Sequence, residues 1–197
     1  MPRHPDPEVR DRILQTAGRL FYAHGIQAVG MAQIVAEAGC GKNVLYRHFP
    51  SKADLVATYL VEFARMREDE FDRVLVDFED DPAEALVAVT RHIAGLAAHP
   101  RFQGCPIRNS LRELRTQDDL PGRTAVTLLA DWRARVDAVV ARVHPDDPVG
   151  AAVLAERVWL VHEGLYAGTH RDRVAAGQTA VALVADLVRR PREVVSA

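Results

Sequence analysis

Apolar side chains return every three or four positions through most of this chain, and nowhere do they alternate with polar ones over the run that a half-buried strand requires. The pattern predicts an all-α fold. Asp6-Pro7 reads as a capping residue followed by proline at the first helical position. From there Val9, Ile13, Leu14, Ala17, Leu20 and Phe21 keep one face apolar as far as Gly25, which sits where a C-terminal cap belongs. A shorter helix carries Met31, Ile34, Val35 and Ala38 on one side and stops at Gly39. A third opens after Gly41, and its Leu45 and Phe49 turn back to close a small core. Ser51 is a good N-cap, with Asp54 three residues on to complete an S-x-x-D box, so a fourth helix starts at Lys52.

Beyond Ser51 the same period continues in longer segments. Leu55, Tyr59, Phe63, Met66, Phe71, Val74 and Phe78 mark a long connecting helix that ends at Asp80-Asp81-Pro82. Pro82 opens the next, which holds Leu86, Val89, Ile93 and Leu96 and stops at Pro100. Arg101 to Pro106 is poor in helix signals and leads into a short helix around Ile107 to Leu114, and Gln117 to Gly122 reads as a loop. From Arg123, the residues Ala125, Leu129, Trp132, Val136, Val139 and Val143 follow steps of four and three, a heptad-like stripe suited to packing on a long helix. Asp147-Pro148 starts a helix expected to reach His170. It carries two stripes, Ala151, Leu154, Val158, Val161 and Leu165, and then Ala152, Ala155, Trp159, His162 and Tyr166 about 100° round the axis. A helix with two apolar faces must be covered from two directions, by a second subunit or by the interior of one. No internal repeat or low-complexity tract interrupts the chain.

Chemistry concentrates in the fourteen residues from Gly39 to Lys52. A glycine pair lets the backbone reverse between two short helices, and the second then projects Lys42, Asn43, Tyr46, Arg47 and His48 outward, as a groove-reading helix must. The start of the next helix offers free backbone N–H groups beside Lys52, an arrangement that attracts a phosphate. The plain reading of the same residues is that Tyr46 and Phe49 are core aromatics and the lysines solvated charges.

The run from Ile13 through Leu60 closely resembles the N-terminal domain of the TetR family of bacterial transcriptional regulators. The likeness is carried by Ala17-Gly18-Arg19-Leu20-Phe21, Gly25, Ile34-Val35-Ala36-Glu37-Ala38-Gly39 and Leu45-Tyr46-Arg47-His48-Phe49-Pro50-Ser51-Lys52. It covers roughly the first quarter of the chain. It implies a helix-turn-helix DNA-binding domain over residues 1–51 and a helical effector-binding and dimerisation domain over 52–197. Gly41, Lys42, Asn43, Tyr46, Arg47 and His48 would lie at double-stranded operator DNA, with Lys52 on a phosphate. Three positions depart from the family's habit: Gly30 replaces a Thr or Ser cap, Cys40 a Val, and Gly41 a Ser. The family further implies a homodimer formed by two late helices, here through Leu129, Trp132, Val136, Leu154, Val158, Val161 and Leu165.

Charge changes this picture little. Residues 1–55 hold seven basic and five acidic side chains, a net +2, which leaves −4 for the rest of a chain whose net charge is −2. The direction suits a DNA-binding head without making a strong basic patch. Lys42 and Lys52 are the only lysines, and biased genome composition accounts for the many arginines. At 197 residues and 48% hydrophobic, the chain can bury a proper core. No apolar run approaches the ~18 residues of a membrane span, and no signal-peptide pattern opens it, so a soluble, cytoplasmic protein without a membrane partner is expected. Two cysteines do not make a disulfide framework.

An effector pocket is expected from the resemblance, and Phe63, Met66, Phe102, Trp159, His162 and Tyr166 are its candidate lining, although such stripes also serve as plain core. His162 and Tyr166 stand out as polar groups on an apolar stripe. His162-Glu163 is half of a zinc protease motif, but Tyr166 occupies the place of the second histidine. No nucleophile elbow, phosphate-binding loop or acid pair appears, so no catalytic residue, cofactor or metal is assigned. The expectation is a ligand-responsive regulator, a repressor released by a small-molecule effector. The alternative is a helical small-molecule-binding or redox/electrophile-sensing protein, with Cys105 as the sensor and a weakened or lost DNA-binding head.

Overall fold

The computed structural model describes residues 7–114, 118–167 and 172–189. The expected cap Asp6, the loop residue Gln117 and the expected helix end His170 lie outside them. Among the described residues there is no strand, and nine α-helices follow in order. They are α1 (Pro7–His24), α2 (Met31–Glu37), α3 (Lys42–His48), α4 (Lys52–Leu75), α5 (Pro82–Ala98), α6 (Pro106–Glu113), α7 (Leu120–Val143), α8 (Pro148–Tyr166) and α9 (Arg173–Arg189). None is long and apolar enough to cross a membrane. Packing groups the chain into two compact units, Met1–Met66 with Cys105–Leu129, and Arg67–Gly104 with Ala130–Ala197.

The first unit holds the small core foreseen from periodicity. Ile13, Ala17, Leu20 and Phe21 of α1, Ile34 of α2, Leu45 and Phe49 around α3 and Leu55, Val56 and Leu60 of α4 are all buried. Gly18 lets the Tyr59 ring lie against α1, since a β-carbon there would stand 3.0 Å from Tyr59 Cε2. Phe21 and Tyr59 meet as tilted rings at 5.7 Å. Burial pushes the Tyr59 phenol above its ordinary range, with Tyr22, Cys105 and Glu113 adding to the effect. The capping box is formed as read: the Asp54 N–H donates to Ser51 Oγ at 3.1 Å, and the Ser51 hydroxyl donates to Asp54 Oδ2 at 2.6 Å.

In the second unit α5 is the central element. Every residue from Ala85 to Thr90 is buried, because α5 packs against both α8 and α9. Gly177 of α9 rests on α5 so closely that a β-carbon would come within 3.0 Å of Ala94 Cβ. Asp81 caps α5 by accepting the Glu84 N–H at 2.9 Å, and Asp147 caps α8 by accepting the Gly150 N–H at 2.9 Å, with proline in the first turn of each.

Several boundaries and faces differ from the sequence reading. The long connecting helix stops at Leu75 and tightens into a 3-10 turn, Val76–Phe78. Part of the expected loop Gln117–Gly122 is helical, since α7 starts at Leu120: Asp119 accepts the Gly122 N–H at 2.8 Å, and Pro121 sits in the first turn. α9 had no counterpart in the reading at all. The expected dimer residues Trp132, Val136, Leu154, Val158 and Leu165 are buried inside a single chain, and Leu129 and Val161 are half-buried. The five buried residues have spent their surface within the subunit, Leu129 and Val161 keep part of theirs, and the most exposed apolar side chains of α8 lie on a third face, Val149, Val153 and Leu160.

Two glycine substitutions probe the head's short helices. Gly39 has φ +60°, so Gly39→Ala should lose about 1–2 kcal/mol from the left-handed penalty alone, although the space around it is open. Gly41 has an ordinary φ of −76° and no side-chain cap, so Gly41→Ser should gain a few tenths of a kcal/mol. Opposite shifts in urea midpoint at unchanged m-value are the expected readout.

Candidate nucleic-acid interface

The reversal between α2 and α3 is built from backbone bonds. The Gly39 N–H donates to Ala36 O at 3.3 Å and the Cys40 N–H to Val35 O at 3.2 Å, the paired bonds that close a helix through a left-handed glycine. Arg12 of α1 adds a third restraint, its Nε donating to Ala38 O at 3.0 Å. Glu37 at the end of α2 takes Arg19 at 2.5 Å and Gln33 at 3.1 Å. Those bonds, Arg19 first, hold its carboxyl below the usual range.

Gly41 caps α3 with its carbonyl alone, accepting from Val44 N at 2.9 Å and Leu45 N at 3.1 Å. From this start the side chains sort by face. Leu45 and Phe49 are buried, while Gly41, Lys42, Asn43, Tyr46 and Arg47 are exposed and His48 is half-buried. Tyr46 is an aromatic left 39% exposed on this two-turn helix. Lys42 Nζ stands 6.0 Å from the Tyr46 ring centroid, at the limit of a cation–π contact. Behind the strip, the Arg10 guanidinium lies 5.6 Å from the Phe49 ring and braces it from α1.

Lys52 is half-buried at the start of α4, and its Nζ donates to Gln27 O at 3.5 Å. Burial lowers its pKa, while the nearby Glu113 carboxylate works in the opposite sense. Asp54 brings its own negative charge to the same first turn, where it is held by Ser51.

The expected effector residues do not gather in one unit. Phe63 and Met66 belong to the first, with Met66 47% exposed, and Phe102, Trp159, His162 and Tyr166 belong to the second. His162 is fully buried, its Nε2 3.0 Å from Thr90 Oγ1. The Thr90 hydroxyl also donates to Leu86 O at 2.7 Å. Tyr166 accepts from buried Arg67 at 3.4 Å, and Arg67 also pairs with Glu70 and approaches His92 Nε2 at 3.4 Å. Arg67, Glu70, Thr90 and His92 were missed, although Arg67 follows Leu60 and Ala64 along the buried face of α4 and was legible as a polar interruption. A groove of about 550 Å³ between α5 and α9 is lined by none of the expected six; Val87, Ala94, Val181 and Ala185 form its apolar wall, with Glu84 and Arg91 at its edge.

Residues 13–59 match the profile of the bacterial regulatory proteins of the tetR family. The HTH-type transcriptional regulator YxaF of Bacillus subtilis is 36% identical over 77 residues, which cover 39% of this chain and 40% of YxaF. The chain thus aligns with well under half the length of that relative. Among solved structures, SCO4454, a TetR-family transcriptional regulator from Streptomyces coelicolor, superposes with a TM-score of 0.85 at 28% identity, over 92% of this chain and 95% of SCO4454. A TetR transcriptional regulator from Chloroflexus aurantiacus shares the fold, with a TM-score of 0.77 at 22% identity over 92% and 94% of the two chains.

The two faces of α3 should separate cleanly by mutation. Lys42→Ala, Asn43→Ala, Tyr46→Ala and Arg47→Ala should each stay within about 0.5 kcal/mol of the parent stability. Leu45→Ala removes a fully buried side chain and should cost about 2–5 kcal/mol. Chemical unfolding of the five variants checks the division.

Proposed function

The chain belongs to the TetR family of bacterial regulatory proteins, and from that premise we propose that it is a ligand-responsive transcriptional repressor that binds a two-fold-related operator as a homodimer. Residues 1–51 act as the DNA-binding head and 52–197 as the effector-binding and dimerisation body. One observation carries the reading: a seven-residue helix presents Lys42, Asn43, Tyr46 and Arg47 to solvent from a glycine reversal braced by Arg12. Such a strip fits the major groove, with Lys42 and Arg47 available for bases or phosphates and Tyr46 for apolar and backbone contact. The Gly30 and Gly41 starts lack side-chain caps yet keep extended cap geometry, so their helices form without the hydroxyls that the family uses there.

Dimerisation follows from the same premise, because one head on one half-site carries little specificity and two must stand about one helical turn, ~34–36 Å, apart. The exposed strip of Val149, Val153 and Leu160 on α8 supports a partner subunit there, and the outer face of α9 adds small residues such as Ala175 and Ala182 that permit close approach. The effector is assigned to the body. Whatever its identity, it must weaken DNA binding by the same factor by which DNA weakens its own binding. Cys105 is buried, which withholds its thiol from solution and counts against the electrophile-sensing alternative.

Selection of duplexes from a random pool tests the DNA assignment. The wild type should enrich a two-fold-related sequence, and Lys42→Ala and Tyr46→Ala should each cost on the order of 1–3 kcal/mol of binding to it. Lys52→Ala should weaken all duplexes alike and reduce the salt slope by about 1 per subunit. Enrichment of nothing by the wild type would refute the proposal.

The oligomer is tested separately. Leu160 is 68% exposed, so Leu160→Glu leaves the subunit's core alone and should convert the dimer to a monomer in sedimentation. Val158→Glu, at a fully buried position, should instead unfold the protein. A Leu160→Glu variant that stays dimeric removes α8 from the interface.

A further inference from the structure

We infer that Glu113, the last residue of α6, positions the DNA-binding head: together with Lys52 it clasps Gln27 in the turn between α1 and α2, so that α6 forms the stop against which the two recognition-motif helices are held. The inference rests on the DNA-binding reading above and adds a control point to it.

Four contacts converge on this turn, and all lie within the first compact unit. The Gln27 backbone N–H donates to Glu113 Oε2 at 3.2 Å, and the Gln27 side-chain amide donates to the Glu113 carbonyl at 3.4 Å. From the other side Lys52 Nζ donates to the Gln27 carbonyl at 3.5 Å. The fourth contact is with Gly25. A β-carbon there would stand 2.9 Å and 3.1 Å from the two carboxylate oxygens of Glu113, so the carboxylate fills the space that a side chain would take. Gly25 is required for its φ of +82°, and a side chain there would push the Glu113 carboxylate from its place.

The arrangement has a physical logic. The turn from Gly25 to Gly30 is anchored below by Ile26 and Val29, both buried, and leads straight into α2. Its peptide N–H at Gln27 belongs to no helix, and a carboxylate is a strong acceptor for it. Glu113 also sets a negative charge near Lys52, the cation expected to meet a phosphate, and favours its charged form against the effect of burial. A displacement of the C-terminal end of α6 would release both groups at once: the turn loses its acceptor and Lys52 its counter-charge. α6 itself is short but well seated, with Pro106, Ile107, Arg108 and Ser110 buried. A surface ion pair alone would contribute little, so positioning through the shared Gln27 peptide is the larger effect.

Two measurements on the full-length protein test the clasp. In hydrogen exchange, Glu113→Ala should lower protection of the Gln27 amide at least tenfold, and Glu113→Gln, which keeps a neutral acceptor, should fall between the two. In duplex binding, the preference for the sequence selected by the wild type over random duplex should fall about tenfold or more in Glu113→Ala, with Glu113→Gln again between them. Random-duplex affinity should hold or rise, because a negative charge near the phosphate contact is gone. An unchanged Gln27 exchange rate would overturn the clasp, and an unchanged preference at altered exchange would overturn its role in positioning. Should the wild type select no duplex, the DNA-binding reading fails on its own while the exchange arm still decides whether the clasp exists. Glu113→Gln keeps the test decisive if Glu113→Ala is too unstable to measure.

Discussion

A helix of seven residues does not persist in water on its own propensity, and α3 is seven residues long with a glycine cap. It exists because Leu45 and Phe49 are buried against the other helices of the head, and the exposed face of α3 depends on that burial. Burying one face dictates which residues are left outside. Once Leu45 is inside, the 3.6-residue period turns Asn43 and Arg47 to the opposite side and Tyr46 to the flank, while Lys42 is exposed because it is the first residue of the helix. The same requirement explains the crowd of restraints around a small element: the left-handed Gly39, the Arg12 bond to the end of α2, and Arg10 over Phe49. The short helix is held by α1 and α2, on which it packs, rather than by its own length.

The second unit solves a different problem. Arg67 and His162 are buried ionisable groups, costly to place in an apolar interior unless paired. Arg67 is matched with Glu70 and the Tyr166 hydroxyl, and His162 with Thr90, whose own proton goes to Leu86 O. These bonds tie α4, α5 and α8 together by polar contacts where α5 and α9 meet through small residues. The unit thus places the bonds of Arg67 and His162 along one set of contacts and its closest backbone approach along another. Any small molecule entering the polar set would have to replace bonds that the protein now makes to itself.

Much of the head was readable because its signals are local. A cap, a glycine and a buried residue every third or fourth position lie within a few residues of each other, and each constrains the same short stretch. The Ser51–Asp54 box and the stop at Gly39 fall where the sequence places them. The body resisted for the opposite reason. In α8, Leu154, Val158, Val161 and Leu165 make one stripe and Ala155, Trp159 and Tyr166 another, and the pattern leaves open which of them meets a partner. Periodicity reports that a residue is apolar and on which bearing round the axis it lies, but not which neighbour arrives from that bearing. α9 was missed because its Ala- and Val-rich run has only three buried positions, Gly177, Ala180 and Val184, and two of these are too small to register as a stripe.

What the sequence by itself determined is therefore the set of helices in the head, their order, and the identity of the exposed strip on α3, since these follow from residue type at short spacing. Tertiary structure alone decided which faces of α7 and α8 are spent inside the subunit, that Leu120 and not Arg123 opens α7, and that Arg67 meets Tyr166 across 99 positions. It also decided that Glu113 reaches Gln27 across 86 positions, into room left by Gly25. Those contacts join residues far apart in the chain, and no local rule of spacing, charge or propensity encodes which distant side chain will be brought alongside.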